Sequence, residues 1–335
     1  MARILITGVA GLLGSHLADK CLAEGHEVIG VDNLVGGDLT NVSKGVQFYQ
    51  VDCGDRAKMY EIMEGVDIVY HAACTAHEGL SIFSPDYITR NTFGITMSVL
   101  SAALDRKVKR FIYLSSMARY GTHGNIDFTE DMTPKPQDPY AISKHASELV
   151  VKLLGDLHGM EWVIAIPHSI IGPRQKYDDP YRNVAAIFIN LMLQGKTPVV
   201  YGDGEQKRCF SFVGDVVDPL YNMAFYPVAG ETINIGPDEN PITVNKLVEE
   251  IASIIGCLPD LKRIGERPSE VKVALCSADK SRKLLGYTTK TDYRDGLKAM
   301  VDYIKEHGTK EFDWEVAPLE INNDLVPTTW KEKKF

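Results

Sequence analysis

The chain has no run of about 18 apolar residues, so no stretch reads as a membrane-spanning helix. Its start, MARILITG, enters a strand pattern directly, without the charged and then apolar layout of a signal peptide, which points to a cytoplasmic protein. Cysteine is sparse. The six residues Cys21, Cys53, Cys74, Cys209, Cys257 and Cys276 are scattered, with no Cys-x-x-Cys among them, which argues against a disulfide framework or a zinc site and for reduced thiols. Positive charge is also short. Lys and Arg number 36 against 45 Asp and Glu, and the resulting net charge of −9 argues against a general nucleic-acid binder. No internal repeat and no low-complexity segment is visible. What is present is 335 residues, 44% hydrophobic, ample for the core of one large domain or two.

The N-terminal half alternates short apolar runs with amphipathic ones. Arg3 to Thr7 reads as a strand, followed by Gly8-Val-Ala-Gly11-Leu12-Leu13-Gly14 and an amphipathic helix. Glu27 to Val31 is a second strand, ending at Asp32. A glycine-rich turn between strand and helix lets backbone amides and the helix dipole meet a pyrophosphate. The spacing here is G-x-x-G-x-x-G, and an acid closes the next strand, as dinucleotide sites require. Asp32 would accept hydrogen bonds from the adenosine ribose and repel a 2′-phosphate, while Asn33 offers no compensating cation, so the cofactor reads as NAD rather than NADP. Gln47 to Val51 leads to Asp52-Cys53, placed to meet the adenine edge. Val66 to Tyr70 leads to His71-Ala72-Ala73-Cys-Thr75-Ala-His77-Glu78. The small residues allow close approach of a cofactor, His71 reads as a packed core histidine, and His77 and Glu78 fall where the loop opens on a substrate. Asn91 to Leu104 reads as a helix and Val108 to Leu114 as a strand. Repeated β–α units imply right-handed crossovers and a doubly wound parallel sheet.

The stretch after that strand carries the chemistry. Phe111 to Leu114 ends in two serines, and Tyr140 and Lys144 follow at the start of a helical pattern. Residues at i and i+4 share a helix face, and a serine past a strand's C-terminal end faces the crevice where such sheets bind ligands. Ser116, Tyr140 and Lys144 can therefore converge on one alcohol. A free phenol titrates near pH ~10, so ionising it near neutrality takes about 4 kcal/mol of differential stabilisation. Lys144 and an oxidised nicotinamide are the cations that can supply it; Ser116 would hold the reacting oxygen or relay its proton.

GVAGLLG, Asp32, HAA, Asn91, SSMARYG and Y-A-I-S-K together resemble the extended short-chain dehydrogenase/reductase family, in its nucleotide-sugar epimerase and dehydratase branch. The resemblance implies an α/β fold, a doubly wound (Rossmann-type) NAD domain with a smaller α/β substrate domain. It implies bound NAD, a catalytic Ser116/Tyr140/Lys144 set, a nucleotide-diphosphate sugar as substrate, and a homodimer through a four-helix bundle built from helices near 91–104 and 140–155. Residues 1–165, with parts of 210–240 returning, would form the NAD domain; 166–209 and 241–335 would bind the sugar nucleotide.

In the C-terminal half, Gly172-Pro173-Arg174 match the family's pattern after a strand at Val163 to Ile166. His168 falls where the backbone meets the nicotinamide end, and Ser169 stands where the family's substrate-contacting asparagine usually is. Tyr181-Arg-Asn183 resembles the loop along the diphosphate and base. Arg208, before an expected strand ending at Asp215, resembles the phosphate-binding arginine. Arg267 and Glu270 resemble an R-P-x-D/E element in which an arginine contacts the second phosphate and an acid the ribose. The tail, 317–335, either packs back on the body or mediates assembly.

The family removes hydride at sugar C4. The acid–base pair of its 4,6-dehydratases is replaced here by Met117 and Ala118, neither of which moves a proton, and losing two such groups, each worth about 10²–10⁴-fold, disfavours that elimination. A GDP-fucose-type 3,5-epimerase/4-reductase is equally poorly matched, with Ala118 and Asn183 at its key places. Of 4-epimerisation and net 4-dehydrogenation, the first is favoured by its frequency in the family. A non-catalytic NAD(H) sensor would not need the intact Tyr/Lys pair, and a steroid- or flavonoid-type reductase would not need Arg208, Arg267 and Glu270.

Overall fold

The computed structural model describes residues 1–258 and 260–335. The first half builds, in chain order, β1 (Arg3–Thr7), α1 (Leu12–Ala23), β2 (Glu27–Asp32), β3 (Gln47–Gln50), α2 (Arg56–Ile62), β4 (Ile68–His71), α3 (Glu78–Ser81), α4 (Pro85–Thr89), α5 (Ile95–Asp105), β5 (Arg110–Leu114), α6 (Pro139–His158) and β6 (Glu161–Pro167). Six of these strands and Thr232–Ile235 form one seven-stranded sheet, in the order Thr232–Ile235, β6, β5, β4, β1, β2, β3. Every neighbouring pair is parallel; Ile4 lies opposite Val28 on one side of β1 and Ile68 on the other. The order reverses at β1, which opens a crevice beyond the C-terminal ends of β1 and β4.

Successive side chains point to opposite faces, and helices cover both, so the inner strands are largely apolar, whereas the edge strand β3 keeps Gln47 and Gln50 exposed. Leu5, Val69, Phe111 and Tyr113 pack with Val99, Leu100 and Ala103 of α5. Ile4, Ile6, Ile112 and Leu114 pack on the other side with Leu17, Ala18 and Cys21 of α1 and Val216 and Leu220 of a helix at Val213–Asn222. A third core joins helices Val184–Leu193, Val244–Ile255 and Tyr293–His307.

Helix boundaries follow local chemistry. The Asp138 carboxylate accepts from Ala141 N at 2.9 Å, Pro139 opens α6, and Gly159 (φ 71°) closes it in the left-handed region. The helix expected from Asn91 is present, but Arg90–Gly94 forms a wider π-helical turn before α5. One strand expectation fails. Asp215 does not end a strand; Ser211–Phe212 is a two-residue strand, and Asp215 lies in the first turn of the helix from Val213, where an acid suits the helix dipole and where its carboxylate accepts from Thr291 N at 2.8 Å. The tail packs back on the body. Ala317, Val326 and Trp330 join Leu80, Phe83 and Tyr181 in one cluster, and Ile321 N donates to the Phe83 carbonyl at 2.8 Å. Among the described residues no helix is long and apolar enough to cross a membrane.

Candidate active site

The crevice at the sheet's switch point opens into a cavity of about 530 Å³. At one end is the glycine turn. Gly8 has φ +71°, and a Cβ there would sit 2.9 Å from Ala73 N; a Cβ at Gly14 would sit 2.1 Å from Gly8 O. Only glycine lets the turn pass this close to the segment after β4. Gly11 caps α1 without a side-chain acceptor, so the first amides of α1, at Leu12 and Leu13, are left for an anion. Asp32 receives Ala10 N at 2.9 Å and Leu34 N at 2.7 Å. Burial raises its carboxyl above the ordinary range, against those two amides and the nearby Arg182. Asn33 Nδ2 donates to Asp52 at 2.8 Å, with buried Cys53 beside it. This cradle fits the dinucleotide: close-approach glycines, open amides at a helix start, and an acid at the end of β2.

The middle of the cavity holds Ser116, Tyr140 and Lys144. Lys144 is buried, and its ammonium donates to the Leu114 carbonyl at 2.7 Å, 5.9 Å from the centre of the Tyr140 ring. Burial disfavours that charge, but Cys74, Tyr113 and Tyr140 around it favour it, and the lysine stays protonated. Burial pushes the Tyr140 phenol up, and Cys74 adds to this; Lys144 and the hydroxyl of Ser116 pull it down. The chain's own groups therefore leave the phenol high, and a further positive charge in the cavity is needed to make it a base at neutral pH. His71 is a core residue, 2.7 Å from Thr7 Oγ1 and 3.0 Å from Thr96 Oγ1. Asn91 joins the π-helical turn to the cavity wall, its carbonyl accepting from Thr75 N at 3.1 Å.

The far end is charged. Arg208 Nη2 donates to the Val271 carbonyl at 2.7 Å. Arg267 pairs with Glu270 at 2.8 Å and lies 4.8 Å from the Tyr201 ring centre. Glu78 is exposed on the wall of the open cavity; desolvation there raises its carboxyl, Asp138 raises it further, and the neighbouring Arg208 and Arg267 oppose both. His77 Nε2 lies 2.7 Å from Asp179 Oδ2, both side chains buried.

Every glycine, cofactor, substrate and catalytic candidate named from the sequence lines this one cavity. Some are already committed locally. The Asn183 carbonyl oxygen caps the helix at Val184 and its amide donates to Ile170 O, His168 bonds Pro237 O at 2.9 Å, and Ser169 adopts φ 45°. Arg119 is buried and faces Glu148 at 3.3 Å; Glu148 is itself buried on the inner face of α6, where Ser115 also reaches it. Sequence reasoning missed the cavity-lining Asp138, Tyr201, Trp330 and Phe335, and Asp179 behind His77. Only the isolated tryptophan in a polar tail carried a signal.

The profile of the NAD dependent epimerase/dehydratase family matches residues 4–236. A putative UDP-glucose 4-epimerase of Methanocaldococcus jannaschii is 31% identical over 310 residues, 91% of this chain and 99% of that protein. The solved UDP-glucose 4-epimerase of Thermotoga maritima, with UDP-glucose, superposes with a TM-score of 0.85 at 30% identity, over 91% of this chain and 99% of its own. The UDP-glucuronic acid 4-epimerase of Bacillus cereus, in complex with UDP-glucuronic acid and NAD, gives 0.84 at 26% identity, over 91% and 100%.

Proposed function

We propose that this chain, which belongs to the NAD dependent epimerase/dehydratase family, is a UDP-sugar 4-epimerase. One observation carries the reading: a single cavity runs from the glycine turn, past Ser116, Tyr140 and Lys144, to Arg208 and Arg267. That is the layout needed to hold a dinucleotide at one end, a sugar hydroxyl in the middle and a diphosphate at the other. The named relatives act on or hold uridine-diphosphate sugars.

Gly8 to Gly14, Asp32, Asp52, Cys53, Ala72, Ala73, Thr75, Asn91 and His168 would hold NAD. Held there, NAD would supply a reversible hydride acceptor for the sugar carbon. Tyr140 removes the proton from the C4 hydroxyl and gives it back; Ser116 holds that oxygen; Lys144 keeps a positive charge beside the phenolate. Arg208 and Arg267 grip the diphosphate as two rigid forks, so the sugar can turn over without leaving. Met117 and Ala118 line the cavity beside Ser116 and offer no acid or base for elimination at C5 and C6.

Residues 166–209 and 241–335 act in this reading as the nucleotide-sugar lobe. The molecule works as a homodimer: α6 exposes Ile142, Leu149, Leu153 and Leu157, a run of large apolar side chains that a partner's helices would cover. Six unpaired cysteines suit a reducing cytoplasm.

The test is incubation with UDP-hexoses while following NADH absorbance and the C4 configuration of the product. Configuration should change catalytically with no lasting NADH. Stoichiometric NADH with a ketone product would make the protein a net 4-dehydrogenase, and no change with any UDP-sugar would end the reading.

A further inference from the structure

Among the described residues, four cationic side chains line the cavity: Lys144 in the middle, Arg208 and Arg267 at the far end, and Arg182 at the dinucleotide end, where Asp32 and Asp52 also lie. The glycine turn meets a pyrophosphate with backbone amides and a helix dipole, which carry only partial charge. Arg182 is the full positive charge on that side.

It reaches there from the nucleotide-sugar lobe. Its two neighbours are anchored: Tyr181 N donates to Asp179 Oδ1 at 3.0 Å, and Asn183 Oδ1 accepts from Ala185 N at 2.9 Å to cap the helix at Val184. Between them Arg182 extends to the loop after β2, where its Nη1 donates to Gly36 O at 3.1 Å. That loop lies on the glycine turn, since a Cβ at Gly37 would stand 2.6 Å from the Ala10 carbonyl carbon. The same stretch of chain crosses α1 as well: Pro173 O lies 3.2 Å from His16 Nε2, and Arg174 pairs with Asp19 at 2.7 Å. Among the described residues the Arg182 side chain makes no ion pair and no hydrogen bond beyond Gly36, so most of its guanidinium fork is open. Burial raises the Asp32 carboxyl; the Leu34 and Ala10 amides and then Arg182 oppose this, so the guanidinium is felt at the end of β2. The sequence pattern set Tyr181-Arg-Asn183 along the substrate's diphosphate; the fold turns its arginine towards the cofactor.

We infer that Arg182 is a cofactor-binding residue: from the nucleotide-sugar lobe it places a guanidinium on the phosphates of NAD and closes the loop 33–38 over them. The inference rests on the dinucleotide reading of the cradle, not on which UDP-sugar is turned over. An enzyme that removes a hydride and must give it back gains from a cradle closed by both lobes, because loss of the reduced cofactor between the two transfers strands the sugar as a ketone.

The test follows NAD release from the loaded protein by exchange into isotope-labelled NAD, UDP binding by calorimetry, and melting temperature. Arg182→Met should release NAD about tenfold faster or more, the worth of a charge-assisted hydrogen bond, with UDP affinity unchanged. Arg182→Gln, which can still donate to Gly36 O but carries no charge, should release it nearly as fast, and Arg182→Lys should restore part of the hold. Unchanged NAD release in the Met and Gln variants overturns the inference, and a lower melting temperature alongside it makes Arg182 a structural brace only. Weakened UDP binding with normal NAD release also overturns it and assigns Arg182 to the substrate. NAD retention without turnover of any UDP-sugar would end the epimerase reading alone, whereas a wild-type chain that binds no NAD overturns both.

Discussion

Lys144 donates its ammonium to the carbonyl of Leu114 at 2.7 Å, hanging the helix that carries Tyr140 on the last residue of the strand that leads to Ser116. One bond thus ties Tyr140 to the strand that leads to Ser116 and keeps the cation beside the phenol. The lysine is both a strut and an electrostatic element, and its removal should be felt in both ways.

Tyr140→Phe should cut turnover at least 10²-fold with NAD still bound, because it removes only the proton acceptor. Lys144→Met should move the rising limb of the pH–rate profile to higher pH. Burial and Cys74 hold the phenol up and Lys144 pulls it down, so losing the ammonium raises the pH at which the base ionises. Steady-state rates from pH 6 to 10, with NAD content measured, check both; a Lys144→Met profile that does not move would remove the electrostatic role.

Arg208→Met and Arg267→Met should each raise KM for the UDP-sugar about 10- to 100-fold, the worth of a charge-assisted hydrogen bond, with a smaller effect on kcat. Initial-rate kinetics on each variant measure this. A normal KM for both would place the diphosphate elsewhere.

Trp330 is buried, edge-on to Tyr181 (5.3 Å between centroids) and Phe83 (6.0 Å), and would lie 3.5 Å from a Cβ on Gly79. It pins the segment bearing His77 and Glu78 against the cavity. Trp330→Ala should cost about 3–5 kcal/mol of stability. It should also raise KM for the UDP-sugar, leave NAD occupancy intact, and be largely rescued by Trp330→Phe. Thermal melts and kinetics decide; a lower melting temperature with unchanged KM would make the tail a structural strap only.

Leu153→Glu should convert a dimer to a monomer in sedimentation velocity, since Leu153 is 64% exposed on the apolar run of α6. A wild-type monomer, or a variant dimer as stable as wild type, would refute the bundle.

Burial and, secondarily, Lys144 lower the His71 pKa to about 3 from the ordinary 6.5. The unfolded chain therefore binds more protons between these values, and stability contributed by neutral His71 is present above 6.5 and lost as pH falls towards 3. His71→Gln should flatten the decline in melting temperature between pH 6.5 and 4, where a single such group changes stability by about 1.4 kcal/mol per pH unit. Parallel melts over that range give the answer; equal slopes would assign the acid lability to other groups.

Much of this molecule could be read one segment at a time. The strands declare themselves because a two-sided sheet demands unbroken apolar runs. The glycine turn does so because Gly8 and Gly14 stand where a Cβ would collide. Tyr140 and Lys144 share a face because a helix repeats every 3.6 residues. Asp215 was misread for the complementary reason: Val213-Gly-Asp-Val-Val has strand composition, and only packing against α1 and the Lys290–Thr291 turn makes it helical.

The sequence alone determined the sheet, the dinucleotide turn and the shared helix face of Tyr140 and Lys144, since each depends on neighbours within a few residues. Only the tertiary structure decided that His77 meets Asp179, 102 residues on, that Arg182 reaches Gly36 across 146 residues, that Arg119 is buried on Glu148, and that Trp330 closes the wall at Gly79. Such pairings are chosen by which surfaces can be removed from water together, a property of the whole packed chain that no local pattern carries.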